Sequence, residues 1–470
     1  MASSKCDQLR ARGNAEYKQL SEGSCVFAAP VRRRKLVLAC QQYMDALGGS
    51  HTAAERAACF KNLGMLHVMW GKFEFKDAME EGAAADSSKL ACLKPRLLSA
   101  VEHLLEALRE GKSADRPEAW LEHLHGVLLG LVEWVVEQTR VLGLSSAPLL
   151  RWLCDSFDLA LDKSRVRCEA AVIAHLRLAE ELFQQGILKL GNDEDEIRDF
   201  RGCLASMHDC LQFLRKAKSF SVNCHGQHTA NALFPEIEEL QERAQLQICV
   251  CESMQAIRTG DQALEKALFD DEEVNMELAM QAVDFYRSAV LLTRERDIEG
   301  EAIATSQLGR VFSDVLKDTV RASKFHYQAT KLALTVMSPR IGRSRWYKYS
   351  RAKHAEYQEQ VVRNEERAHE QKWAPTKKGM EKELKKLNQE AKKGGLEFLL
   401  YIYKNHPNPD PKKVRDVMLK EEGLTKQMLR SAICHYHPDV NRQHPEEWQV
   451  LCEEICKILN NMYESSKLAK

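Results

Sequence analysis

The sequence predicts an all-α protein, and three observations carry that prediction. Apolar residues recur at steps of three and four along most of the chain. Glycine and proline are scarce, at 23 and 12 of 470 residues. No run alternates apolar and polar residues as a half-buried strand does. Strand-rich folds need many turns and use more of both turn residues.

The helices can be read off in order. Apolar periodicity marks residues 9–20, 35–47, 57–69, 97–108, 118–138, 167–186, 198–214, 234–259, 277–293, 301–316, 321–334 and 345–371. In 167–186, for example, Ala170, Ile173, Ala174, Leu176, Leu178, Leu182 and Phe183 fall mostly three or four apart. The breaks carry turn chemistry: Gly48-Gly49-Ser50, Gly111 with Pro117, Ser145-Ser146-Ala147-Pro148, Gly191-Asn192-Asp193, Gly226, and Ser338-Pro339.

Composition narrows the function classes. Lys+Arg and Asp+Glu are equal at 68 each, which gives no general drive towards nucleic acid or anionic membrane. No run reaches the roughly 18 uncharged apolar residues of a membrane span. The longest candidate, residues 126–136, contains Glu133. The start of the chain opens no apolar leader. The 15 cysteines are scattered and odd in number. The expectation is a cytoplasmic protein with reduced thiols. Cys203, His208, Cys210, Cys224, His225 and His228 form a loose Cys/His group without the paired close spacing of a zinc site, so neither metal nor cofactor is assigned.

A pattern repeats in alternate helices. Ala39, Tyr43 and Ala46 form Ala-x3-Tyr-x2-Ala, and Ala282, Tyr286 and Ala289 form it again. Ala322 and Ala329 repeat the alanines, with His326 and Tyr327 where the aromatic belongs. Small residues seven apart let helices approach closely, and the aromatic fills the groove of the next pair. The matching first helices of such hairpins carry Gly13-Asn14-x2-Tyr17, Asn62-Leu63-Gly64 and Leu308-Gly309-x2-Phe312. On these residues the chain resembles tetratricopeptide repeats, which are stacked helix hairpins. The resemblance is good over residues 10–86 and 277–335 and weak between. The first repeat holds an insertion near residues 21–34. Some members of that family hold the C-terminal carboxylate of heat-shock chaperones. By that resemblance Arg10, Asn14 and Asn62 match the first positions of such a clamp. Lys94-Pro95-Arg96 departs from the spacing of the remainder.

Residues 340–395 carry 16 Lys/Arg against 8 Asp/Glu, with pairs at Lys377-Lys378, Lys385-Lys386 and Lys392-Lys393. Interleaved Glu381, Glu383 and Glu390 would repel phosphate, and no stacking aromatic follows Trp373 within the segment. A solvated helical linker is expected, with RNA binding as the weaker alternative.

The most specific signal lies near the C-terminus. A short apolar helix, residues 396–403, precedes a long loop. An amphipathic helix, 425–436, then runs into His437-Pro438-Asp439, and another helix, 445–465, follows. Proline ends the first of these two. With Tyr436 before the tripeptide and Asn441 after it, residues 396–467 resemble a J domain, the module of DnaJ-type co-chaperones. The resemblance implies a non-enzymatic domain. Its His437, Pro438 and Asp439 would contact a DnaK-type chaperone, and Lys426 and Arg430 would steer the association. Gln427, Ser431 and His435 stand where that family usually has Lys or Arg. No phosphate loop, metalloprotease motif or nucleophile elbow is present.

The organisation expected is a tetratricopeptide-like hairpin array over residues 1–335, a basic helical linker over 336–395, and a J-like three-helix module over 396–470. The expected function is a co-chaperone adaptor that also binds a protein ligand on the repeats, with neither membrane nor nucleic acid as partner. The alternatives are a scaffold whose J-like module no longer stimulates a chaperone and, more weakly, an RNA-binding protein.

Overall fold

The computed structural model describes residues 5–22, 27–80, 87–164, 168–191, 199–222, 227–269, 274–336, 338–409 and 426–468. Among the described residues every regular element is helical and none is a strand. The chain is all-α. It divides into two compact units, Met1–Ser350 and Arg351–Lys470.

The first unit holds α1 (Lys5–Glu22), α2 (Ala29–Gly48), α3 (Ala53–Glu80), α4 (Leu93–Ser113), α5 (Glu118–Val141), α6 (Ala147–Ser164) and α7 (Glu169–Lys189). It continues through α8 (Phe200–Ser221), α9 (Gln227–Ala267), α10 (Met276–Thr293), α11 (Ile298–Arg310), α12 (Thr319–Val336) and the short α13 (Pro339–Arg343). Local chemistry sets several starts. Thr52 and Glu55 form a reciprocal capping box ahead of α3, with Glu55 N donating to Thr52 Oγ1 at 3.1 Å and Thr52 N donating to Glu55 Oε2 at 3.1 Å. Asp199 caps α8 through Gly202 N at 2.7 Å, and Asn275 caps α10 through Leu278 N at 3.1 Å.

Neighbouring helices pack in pairs: α1 with α2, α3 with α4, α7 with α8, α9 with α10, and α11 with α12. One apolar core runs from Phe75 on α3 to Cys251 on α9. Helix α5 is long and apolar enough, by composition alone, to cross a membrane. Here it buries Leu124, Leu128, Val132 and Val135 in that core. Residues 126–136, the longest apolar candidate in the sequence, lie within this helix.

Tyr43 and Tyr286 anchor two similar stations. The Tyr43 ring lies against Gly13, where a Cβ would come within 2.5 Å of it. Tyr286 lies against Gly260 in the same way, at 2.7 Å. Tyr43 donates to Asn14 Oδ1 at 2.9 Å, and Asn62 Nδ2 donates to the same oxygen at 2.9 Å. Tyr286 donates to Asp261 Oδ1 at 2.7 Å, and Gln307 Nε2 reaches it at 3.1 Å. The alanines of the repeated pattern (39, 46, 282, 289, 322 and 329) are all fully buried. On α12 the aromatic position belongs to His326, fully buried beside Gly309, while Tyr327 is 54% exposed. The spacing explains the choice: His326 repeats the four-then-three interval, and Tyr327 is rotated about 100° from it.

The second unit contains most of α14 (Arg345–Gly379), then α15 (Glu381–Ala391), α16 (Gly395–Asn405), α17 (Lys426–His435) and α18 (Glu446–Leu468). Its core joins Leu387, Phe398, Leu399, Ile402, Leu429, Ala432, Tyr436, Leu451, Cys452, Ile455 and Leu459. The segment read as a solvated linker therefore supplies Leu387 to this core. Trp373 is also buried, and Lys377 pairs with Glu454 at 2.8 Å. Sparse apolar residues among many lysines hid this packing: on α15 one buried leucine faces inward while Lys385 and Lys386 stay exposed.

Candidate functional site

The candidate site is the turn between α17 and α18. Leu429 and Ala432 bury one face of α17. Lys426 and Arg430, one helical turn apart, remain exposed. Pro438 stops the helix and opens a single 3₁₀ turn, Pro438–Val440. His437 caps that turn by accepting Asp439 N at Nδ1, 3.2 Å away. The side chains of His437 and Asp439 are 46% and 61% exposed. Both side chains therefore project into solvent from a short loop.

The loop is fastened from beneath by Asn441, which is fully buried. Its Nδ2 donates to His435 O at 3.0 Å and His437 O at 2.9 Å, and its Oδ1 accepts Trp448 Nε1 at 3.2 Å. Asn408 Nδ2 also donates to His435 O, at 2.6 Å. Tyr436 donates to His406 O at 2.7 Å from the core, where burial pushes its phenol well above the ordinary range. The bonds to His435 O satisfy a carbonyl that the end of α17 leaves without a helical partner, and Tyr436 does the same for His406 O just past the end of α16. Asn441 was noted in the sequence only as following the tripeptide. Asn408 was not singled out, because its partner is 27 residues away.

Two features of the site were not legible in the sequence. Arg442 NH2 forms an ion pair with Asp439 Oδ1, so the carboxylate expected to contact a chaperone already pairs with an arginine of its own chain. Tyr403 OH and His435 Nδ1 lie 2.7 Å apart, so His435 is tied to α16 and does not offer a free position for a basic docking face. The long loop after α16 falls mostly outside the described residues.

The clamp candidates lie in the first unit. Asn14 and Asn62 meet, as described above, on a shared oxygen under Tyr43. Arg10 pairs with Asp7 at 2.7 Å. Lys94 is exposed, whereas Arg96 pairs with Glu74 at 3.3 Å and stacks over the Trp70 ring at 3.5 Å. Elsewhere in this unit, a groove of about 500 Å³ is floored by Leu129, Val132, Val136 and Ile173 and edged by Glu133 and Glu169.

Of the Cys/His group, Cys203 and Cys210 are buried on α8 and His208 is exposed. Cys224 and His225 lie outside the described residues, as does the side chain of His228. Among the described residues no group of three metal-ligating side chains comes together. No protein-family model matches this chain, and no curated protein matches it.

Proposed function

We propose that the chain is a non-enzymatic adaptor of co-chaperone type. Its second unit would act as a J-like module, recruiting a DnaK-type chaperone through His437, Pro438 and Asp439. Its first unit would act as a tetratricopeptide-like array that binds a protein ligand. One observation carries the reading: exposed His437 and Asp439 stand on a turn that Asn441 and Trp448 hold in place, and Lys426 and Arg430 are exposed on the helix that leads into it. A loop held in place loses little entropy on binding, and exposed charges on that helix steer encounter.

The decisive experiment is single-turnover ATP hydrolysis by a DnaK-type chaperone with the full chain. Stimulation that disappears in His437→Gln, with the fold intact, supports the reading. Absence of stimulation by the wild type sinks it.

The Arg442–Asp439 pair favours one second reading, a scaffold in which the turn is closed on itself. Under that reading Arg442→Ala awakens stimulation that the wild type lacks. Under the first reading the wild type already stimulates, and the exposed pair is displaced on docking at a cost within about 1 kcal/mol.

A further inference from the structure

We propose that Cys203 and Cys251 form an oxidative modification site, which hydrogen peroxide converts into a disulfide tying α8 to α9. This inference is independent of the chaperone reading. It starts from geometry. The two thiols are buried, at 0% and 1% exposure, and their sulfurs are 3.4 Å apart. A disulfide needs an approach to about 2.05 Å, so closure asks for roughly 1.3 Å of movement shared between two side chains.

A route for the oxidant accompanies the pair. Cys251 lines a cavity of about 430 Å³, walled by Ile187, Phe200, Val250 and Met254, with Arg296 at its edge. Peroxide is small and uncharged, which suits that space. The cavity selects Cys251 as the sulfur oxidised first, since Cys251 lines it and Cys203 does not. Hydrogen bonding with Cys203, and then with Gln247 Nε2 at 3.5 Å, outweighs burial and draws the Cys251 thiol below its ordinary value. Cys210, buried on α8, is less reactive. Burial and the carboxylate of Glu180 push Cys210 up to about 12. Cys6 and Cys59 provide a contrast in the same unit. Their sulfurs are 3.9 Å apart, and burial together with Cys6 pushes Cys59 up to about 12. The thiolate is the nucleophile, so these sites react more slowly.

The chemistry closes in two steps. The Cys251 thiolate attacks one peroxide oxygen, an S–O bond forms, the O–O bond breaks, and the departing hydroxide takes a proton to become water. Sulfur is oxidised to a sulfenic acid and the peroxide is reduced. Cys203 sulfur then attacks Cys251 sulfur, the S–S bond forms, the S–O bond breaks, and the leaving hydroxide takes the Cys203 proton as a second water. Two thiols and one hydrogen peroxide thus yield one disulfide and two waters.

The test is graded peroxide treatment of the full chain, followed by peptide mass mapping without reduction. The expected result is a Cys203–Cys251 peptide pair at doses that leave Cys6 and Cys59 reduced. A rise in melting temperature that dithiothreitol reverses should accompany it. In Cys203→Ser, a sulfenic acid should accumulate on Cys251 and be trapped by dimedone. In Cys251→Ser, no dimedone adduct should form at Cys203. Wild-type mapping decides the matter even if a serine variant fails to fold. Cys251 remaining a thiol while other cysteines oxidise, or pairing instead with Cys249 or with a second molecule, overturns the proposal.

Discussion

The Tyr43 and Tyr286 stations have the same shape and different charge. Each places a fully buried tyrosine ring on a glycine and sends its hydroxyl to one oxygen that also accepts a side-chain amide. At the first station that oxygen belongs to a neutral amide, Asn14. At the second it belongs to a carboxylate, Asp261. Burial is the larger influence on Asp261 and raises its pKa, while the Tyr286 hydrogen bond and the nearby Arg310 charge work against it. The Asp261 carboxylate in turn adds to burial in pushing the Tyr286 phenol upward. A packing motif can therefore be repeated while its polar centre carries different electrostatics. The geometry is set by the ring and the glycine, not by the charge.

That comparison can be broken most strongly by removing the rings. Tyr43→Ala and Tyr286→Ala should each lower stability by about 3–5 kcal/mol in urea unfolding, because a large aromatic leaves a cavity. A cost below about 1 kcal/mol at either site would mean that the ring does not anchor its station. Gly13→Ala and Gly260→Ala come next, at about 1–3 kcal/mol each, since the new methyl meets the tyrosine ring. Equal tolerance of alanine at an exposed helical glycine and at these two would refute the close approach.

Removing only the hydroxyl sharpens the contrast. Tyr286→Phe should cost about 1.5–3 kcal/mol at neutral pH, because the lost bond goes to a charged acceptor. Tyr43→Phe should cost about 0.5–1.5 kcal/mol, the range for a neutral one. Identical losses would remove the electrostatic distinction.

The smallest effect is the pH dependence of Asp261. Its folded pKa lies above the ordinary 3.8. The native state thus holds the proton more tightly, and its contribution to stability is present below 3.8 and lost as pH rises through the folded value. Asp261→Asn should flatten this part of the melting-temperature profile and bring the second station close to the first. A variant that keeps the same slope would locate the dependence in another group.

The helices, the repeated alanines and Tyr43 and Tyr286 were legible because each follows from local spacing. The second station's own glycine and acid were not. Gly260-Asp261 parallels Gly13-Asn14, but it sits inside α9, whose periodicity was followed only to residue 259. Comparing it with Gly13-Asn14 would have revealed it. At the candidate site the chain order showed a helix, a proline stop, the tripeptide and a second helix. It did not show Asn408 meeting His435, Tyr403 meeting the same histidine, or Arg442 taking Asp439.

The sequence by itself determined the helical class, most helix positions and the place of the His437-Pro438-Asp439 turn. Periodicity, capping and proline chemistry act over a few residues and need no knowledge of distant partners. Only the tertiary structure decided that Leu387 belongs to a core, that His326 and not Tyr327 fills the third aromatic position, and that Cys203 faces Cys251 across 48 residues of chain. Each of those outcomes depends on which helix faces rotate towards one another. That rotation is set by close packing of whole surfaces, which no short stretch of sequence encodes alone.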